Sequence, residues 1–190
     1  MDSLQSPDFS RLIAGISRAL RANRLSFMLI GGQAVLLHGR PRLTEDIDIT
    51  LAADPSRLND VLEACAALKL RALPEDVESF VLQSFVLPVL HDATNIRVDF
   101  IFSTTPYERV AIDRAVIVEM RGESVPFATA EDLIVHKLFA GRSIDLEDAA
   151  AVIRRKGRDL DWRYIEKWLG EFSEVPGRED LLDLLADIRK

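Results

Sequence analysis

Residues 29–50 read LIGGQAVLLHGRPRLTEDIDIT, and the last six of them carry the most information. In EDIDIT, acids alternate with isoleucines, the period of a strand with one apolar face. Asp46 and Asp48 then project together, and Ile47 and Ile49 face the other way into a core. Two carboxylates at ~4 Å repel by about 4 kcal/mol at an effective dielectric of about 20. A fold that aims them at one point must hydrate them, protonate one, or supply a cation. Upstream, Phe27 to Ile30 is a short apolar strand, Gly31-Gly32 turns the chain into a short helix over 33–37, and 38–45 is a polar loop.

The whole chain suits that reading. Its 190 residues fit one domain, or one domain with a small appendage, and 48% apolar with 29% charged residues is ordinary for a soluble globular protein. No apolar run approaches the ~18 residues of a membrane span. The nearest, Phe80 to Leu90, is broken by Gln83, Ser84 and Pro88. The opening MDSLQSPDF lacks the basic and apolar regions of a signal peptide. A lone cysteine, Cys65 in an apolar helical pattern, excludes a disulfide framework and predicts a buried thiol. These features together predict a cytoplasmic protein with no membrane partner. The net charge of −7 argues against a large nucleic-acid footprint. The dense basic run Arg154, Arg155, Lys156 and Arg158 reads as the solvated end of a helix, with an RNA contact as the alternative.

Further elements follow from spacing and punctuation. Ser6-Pro7 opens a helix with Phe9, Leu12, Ile13, Ile16 and Leu20 on one face. Asp54-Pro55 opens another to about Leu68, and Glu75 to Leu82 is helical. Phe85 to His91 is a strand whose Pro88 suggests an edge or a bulge, and Asp92 to Asn95 is a turn. Ile96 to Phe102 is the next strand, Pro106 begins a helix, and Val116 to Met120 and Val125 to Phe127 are strands. After Thr129 the pattern is wholly helical: a helix around Leu133 to Leu138, then 146–155, 162–169 and 179–189. The expected class is α/β (α+β), a small mixed β-sheet flanked by helices, with a C-terminal helical cluster packed on it. The expected division is a core at 1–128 and a helical subdomain at 129–190.

A third acid sits inside the strand IRVDFIF, where Asp99 costs free energy to bury unless something compensates it. If this strand lies beside the Asp46/Asp48 strand, three carboxylates converge into a cation site for Mg²⁺ or Mn²⁺. The plainer alternatives are a half-exposed strand with solvated acids and, for Asp99, a pair with an arginine. Asp46 to Thr50 also spells DxDxT, the nucleophile motif of haloacid-dehalogenase-type phosphatases. That motif ends a buried apolar strand, whereas Arg42, Leu43, Thr44 and Glu45 precede it here.

Residues 29–50 resemble the nucleotidyltransferase fold of the DNA polymerase β superfamily. The shared pattern is a Gly-Gly turn (Gly31-Gly32), a short helix, an Asp-x-Asp pair (Asp46, Asp48) and a third acid on a later strand (Asp99). The string from Gly31 through Ala34, His38, Gly39, Arg42 and Thr44 to Asp46 and Asp48 is similar to the AbiEii-like branch of toxins and their relatives. Lys137, followed by Arg142, Ser143, Ile144, Asp145 and Asp148, resembles that branch's second motif, with Ile144 where the group has a lysine. Gln33 likewise replaces a serine after the turn. The resemblance implies metal-dependent transfer of a nucleoside monophosphate from a nucleoside triphosphate to a hydroxyl acceptor (tRNA or other RNA, a protein, or a small molecule). It also implies a toxin's role with a cognate antitoxin. The alternative is a catalytically inactive nucleotide-binding or protein-interaction module that keeps the fold.

Roles follow from the chemistry. Gly31 and Gly32 let backbone amides approach a phosphate at a helix N-terminus, or else form a tight turn and nothing more. Arg42, with Thr44 beside it, suits phosphate oxygens or a salt bridge to the site acids, and Arg40 is a weaker candidate. Lys137 and Arg142 are implied by the resemblance to contact the nucleotide, with Asp145 and Asp148 orienting Arg142. Asp46, Asp48 and Asp99 are the metal and catalytic set. His38, His91 and His136 show no metal-ligand spacing, and Trp162 and Trp168 read as core.

Overall fold

Ile47, Ile49 and Leu51 are fully buried, and so is every alternate residue of the strand beside them, Val98, Phe100 and Phe102. That shared apolar face organises the molecule. The structure, a computed structural model, describes residues 7–40 and 43–189. Among these, seven strands form one mixed sheet in the order β3-β4-β5-β2-β1-β7-β6. They are β1 (Phe27–Leu29), β2 (Asp46–Leu51), β3 (Leu70–Ala72), β4 (Val86–His91), β5 (Ile96–Phe102), β6 (Val116–Met120) and β7 (Glu123–Phe127). The helices are α1 (Pro7–Ala22), α2 (Gly31–His38), α3 (Leu58–Ala67), α4 (Val77–Ser84), α5 (Pro106–Asp113), α6 (Ala130–Ala140), α7 (Ser143–Lys156), α8 (Trp162–Phe172) and α9 (Leu181–Ile188).

β2 and β5 run parallel in the register Asp46↔Arg97, Ile47↔Val98, Asp48↔Asp99. β1 is antiparallel to β2 and parallel to β7. One sheet face is apolar: α1 packs against α3 and β7, tied there by Ser17 Oγ and Arg21 donating to the Ser124 carbonyl at 3.0 and 2.7 Å. The other face carries the acids of β2 and β5. α2 lies against β2 and meets α6 and α7.

Two details differ from expectation. The three-residue β3 has no alternating pattern to betray it. Its presence makes β4 an interior strand rather than an edge. Pro88 is tolerated because β3 ends beside it. The Pro88 carbonyl accepts from Leu73 N–H at 3.0 Å, the last backbone bond between the two strands, so the proline's missing N–H faces the point where pairing stops. The helix after the glycine pair begins at Gly31 itself, two residues earlier than its apolar pattern.

The C-terminal helices extend the same apolar core. Trp168 packs edge-on against Tyr107, with ring centroids 5.0 Å apart, and Phe172 does the same at 5.1 Å. Trp168 is therefore core, as read. Tyr164 Oη and Thr129 Oγ1 both donate to the buried Asp132 carboxylate, each at 2.6 Å, fixing α8 to the start of α6. Arg155 donates to the Gly39 carbonyl at 2.8 Å, and Arg40 pairs with Glu147 at 2.8 Å. Both contacts tie α7 to the chain just ahead of β2, and the basic run is the last turn of that helix. Cys65 is buried, and that burial pushes its thiol up to about 12. The expected N-cap, Ser6, lies outside the described residues.

Candidate active site

Alternation along β2 and β5, combined with their register, puts Asp46, Asp48, Arg97 and Asp99 on one face. All four line a cavity of about 610 Å³, together with Gly31 and Gly32 from the start of α2 and Lys137, Arg142 and Asp145 from α6 and α7. The sequence has thus drawn seven of its nine candidate residues to one place.

The turn into α2 fits closely over this floor. Ile30 N–H donates to the Asp48 carbonyl at 3.0 Å, locking β1 to β2. Gly31 then adopts φ +60°, a conformation that favours glycine. A Cβ there would lie 1.8 Å from Asp48 Oδ2. The first amides of α2 have no intrahelical partners and face the cavity end of the helix. Burial, and then the charges of Asp46 and Asp99, push the Asp48 carboxyl up to about 6.

Asp46 is held by Thr44, whose buried hydroxyl donates to Asp46 Oδ1 at 2.9 Å. Thr44 is not among the residues lining the cavity, and its hydroxyl serves to aim a carboxylate. Arg42 lies outside the described residues. Arg40 points to Glu147 instead of the cavity.

Lys137 is almost fully enclosed. Its Nζ contacts Asp145 Oδ1 at 2.7 Å and Asp148 Oδ2 at 3.0 Å, with both acids fully buried. Arg142 holds the other edge of Asp145 through Nε at 2.6 Å and Nη2 at 3.2 Å, with its side chain 73% exposed. Asp145 therefore orients Arg142 as expected, whereas Asp148 serves Lys137. Ile144 is exposed at the cavity.

Two residues passed over in the sequence also belong here. Arg97 Nε donates to Asp99 Oδ1 at 2.8 Å. The signal was available: opposite charges two apart on a strand share a face. His136 lines the cavity, and burial lowers its imidazole to about 4, so it stays neutral. His38 and His91 are structural: His38 Nε2 is 2.7 Å from the Ala128 carbonyl, and His91 Nδ1 is 2.7 Å from Thr94 Oγ1.

Among the described residues no three His, Cys, Asp or Glu side chains close together tightly enough to hold a metal ion. Asp99 is hydrogen-bonded by Arg97. The donor chemistry still fits a hard divalent cation, since three carboxylates line one cavity and the charges of Asp46 and Asp99 raise the cost of charging Asp48.

From residue 11 to residue 161 the sequence matches the family described as Nucleotidyl transferase AbiEii toxin, Type IV TA system. The chain belongs to the AbiEii nucleotidyltransferase family. A nucleotidyltransferase-like antigenic protein of Paracoccidioides brasiliensis superposes on this AbiEii-family chain with a TM-score of 0.55 at 14% identity, covering 95% of this chain and 93% of its own. The solution structure of the antibiotic-resistance factor ANT(2'')-Ia gives 0.58 at 16% identity, covering 96% and 97%. ANT(2'')-Ia crystallised with adenylyl-2''-tobramycin gives 0.50 at 18%, covering 95% and 96%. At such identities the likeness speaks for the fold, which is that of a nucleotidyltransferase. A search of curated proteins gives no match. Among the described residues no helix is long and apolar enough to cross a membrane.

Proposed function

We propose that this AbiEii-family chain moves a nucleoside monophosphate from a nucleoside triphosphate to a hydroxyl acceptor at the cavity floored by Asp46, Asp48 and Asp99. The observation that carries the reading is the register Asp48↔Asp99 directly under the Gly31 turn. In this reading the amides of Gly31 and Gly32 and the N-terminus of α2 bind phosphate oxygens. The exposed guanidinium of Arg142, steadied by Asp145, meets the same group. Lys137 is a positioning residue that clamps α6 to α7 through Asp145 and Asp148. Asp46 and Asp48, with Asp99, would hold Mg²⁺ or Mn²⁺, which supplies charge neutralisation for the triphosphate. Asp99 takes the acceptor's hydroxyl proton as the oxygen attacks the α-phosphorus in line. The bond to pyrophosphate breaks and pyrophosphate leaves with the electron pair.

The family description supports a role as the toxin of a type IV toxin–antitoxin pair, with a cognate antitoxin. We assign residues 129–190 to a helical subdomain that closes one wall of the cavity. Incubation with each α-labelled nucleoside triphosphate, Mg²⁺, and total RNA, protein and small-molecule fractions tests the function. Label passes to one fraction with the wild type and to none with Asp48→Asn. Transfer unchanged in that variant overturns the reading. Ile144, in place of the lysine of the related motif, favours the second reading of a nucleotide-binding module without turnover. Calorimetric binding of the metal–nucleotide with no labelled product in any fraction would select it.

A further inference from the structure

Arg97 is the one cation on the strand that also carries Asp99, and its position is unusual in three respects. It pairs in register with Asp46 across β2 and β5 and stands two residues from Asp99 on the same face. It therefore sits among all three acids. Its side chain is 53% exposed while that of Asp99 is 17% exposed, so the guanidinium reaches toward the mouth of the cavity from an acid that lies deeper. It also lines a second groove of about 540 Å³, which opens where the face continues from Asp99 to its cross-strand partner Pro88 and on to Leu73 and Phe80. Glu75 and Asp76 line that groove too.

Three carboxylates facing one space are stabilised by positive charge whether or not a metal is bound. A charge-assisted hydrogen bond from Arg97 occupies one of the carboxylates that a metal would need. We infer that Arg97 is a built-in counter-cation that a divalent ion displaces from Asp99, so that the guanidinium has two seats, Asp99 in the metal-free protein and the acidic groove beside it in the loaded one. The inference rests on the metal-dependent transferase reading above. It makes metal loading a competition within the protein: the ion must break the Arg97–Asp99 bond before the third ligand is available. The groove supplies the second seat, because Arg97 lines it together with the carboxylates of Glu75 and Asp76.

The test is a titration of free Mn²⁺ on the whole chain, followed by electron paramagnetic resonance without nucleotide. In Arg97→Gln the Kd for Mn²⁺ falls about tenfold, because no bond is displaced. Arg97→Met, which keeps the aliphatic stem, does the same. In the wild type, the side-chain Nε–H signal of Arg97, assigned by its loss in either variant, shifts when Mg²⁺ is added. In Asp99→Asn it does not. Affinity that is unchanged or weaker in folded Arg97→Gln, or an Arg97 signal indifferent to Mg²⁺ in the wild type, overturns the inference. Equal Mn²⁺ binding by both proteins with nucleotide transfer intact overturns this inference alone. Absence of Mn²⁺ binding in wild type and variants, even with nucleotide present, overturns the transferase reading along with it.

Discussion

Gly31 and Asp48 are so close that a single methyl group cannot be placed between them: a Cβ on Gly31 would stand 1.8 Å from Asp48 Oδ2. The contact joins the glycine turn to the acid strand. Gly31→Ala is expected to cost about 1–3 kcal/mol for the left-handed backbone, with a further loss from the clash, and to abolish transfer by pushing the Asp48 carboxyl aside. Gly122→Ala is the control. It has φ +80° but nothing within 4 Å, so it carries the backbone cost alone. Thermal unfolding and label transfer on both variants separate the two effects.

Asp48 also predicts a pH dependence. Its carboxyl is raised from 3.8 to about 6 in the folded, metal-free chain, by burial first and by Asp46 and Asp99 next. Folding therefore favours the protonated form. The contribution is fully present below the unfolded value near 4 and is lost as pH rises through about 6. In EDTA the Tm should fall from pH 5 to pH 7, and Asp48→Asn should flatten that slope. Mn²⁺ affinity should rise over the same interval, since binding must release the proton. A Tm that rises with pH in EDTA refutes this account.

At pH 7.5 without divalent ions, Asp48→Asn is expected to be more stable than the wild type, because it removes one of three like charges facing a common cavity. A gain of about 1 kcal/mol corresponds to a Tm increase of roughly 2–4 °C at this size. The same substitution should reduce transfer at least about a hundredfold if the carboxylate helps hold charge in the transition state. Opposite signs for stability and activity distinguish a functional acid from a structural one.

Lys137 and Arg142 are adjacent at the cavity yet should behave differently. Lys137→Met removes the buried ammonium that touches both fully buried acids, Asp145 and Asp148, and should cost about 3–5 kcal/mol. Arg142→Gln removes a mostly exposed group, and any change in stability should be within about 1 kcal/mol. Its effect should appear as a raised KM for the nucleoside triphosphate. Denaturant unfolding curves and nucleotide titration of kcat and KM check both.

Legibility in the sequence followed the physics of each segment. The strands Asp46–Leu51 and Ile96–Phe102 were plain, because burial on one face imposes a two-residue period that side-chain chemistry makes visible. That β5 lies beside β2 was conditional until the register was seen, since strand order depends on contacts between segments about fifty residues apart. β3 was hidden because three residues, Leu-Arg-Ala, carry no period. The hydrogen bond from Thr44 to Asp46, and the identity of the arginine that pairs with Asp99, were not legible for a related reason. Sequence reports which groups are available for a ligand, but Thr44 and Arg97 are used on neighbouring carboxylates, and only coordinates reveal those attachments.

The two ties between α7 and the segment before β2, Arg155 on Gly39 and Arg40 on Glu147, have a mechanical consequence. α7 also carries Asp145 and Asp148, which grip Lys137. The same helix thus joins the cavity wall that carries Asp145 to the segment leading into the acid strand, so a displacement of α7 moves both.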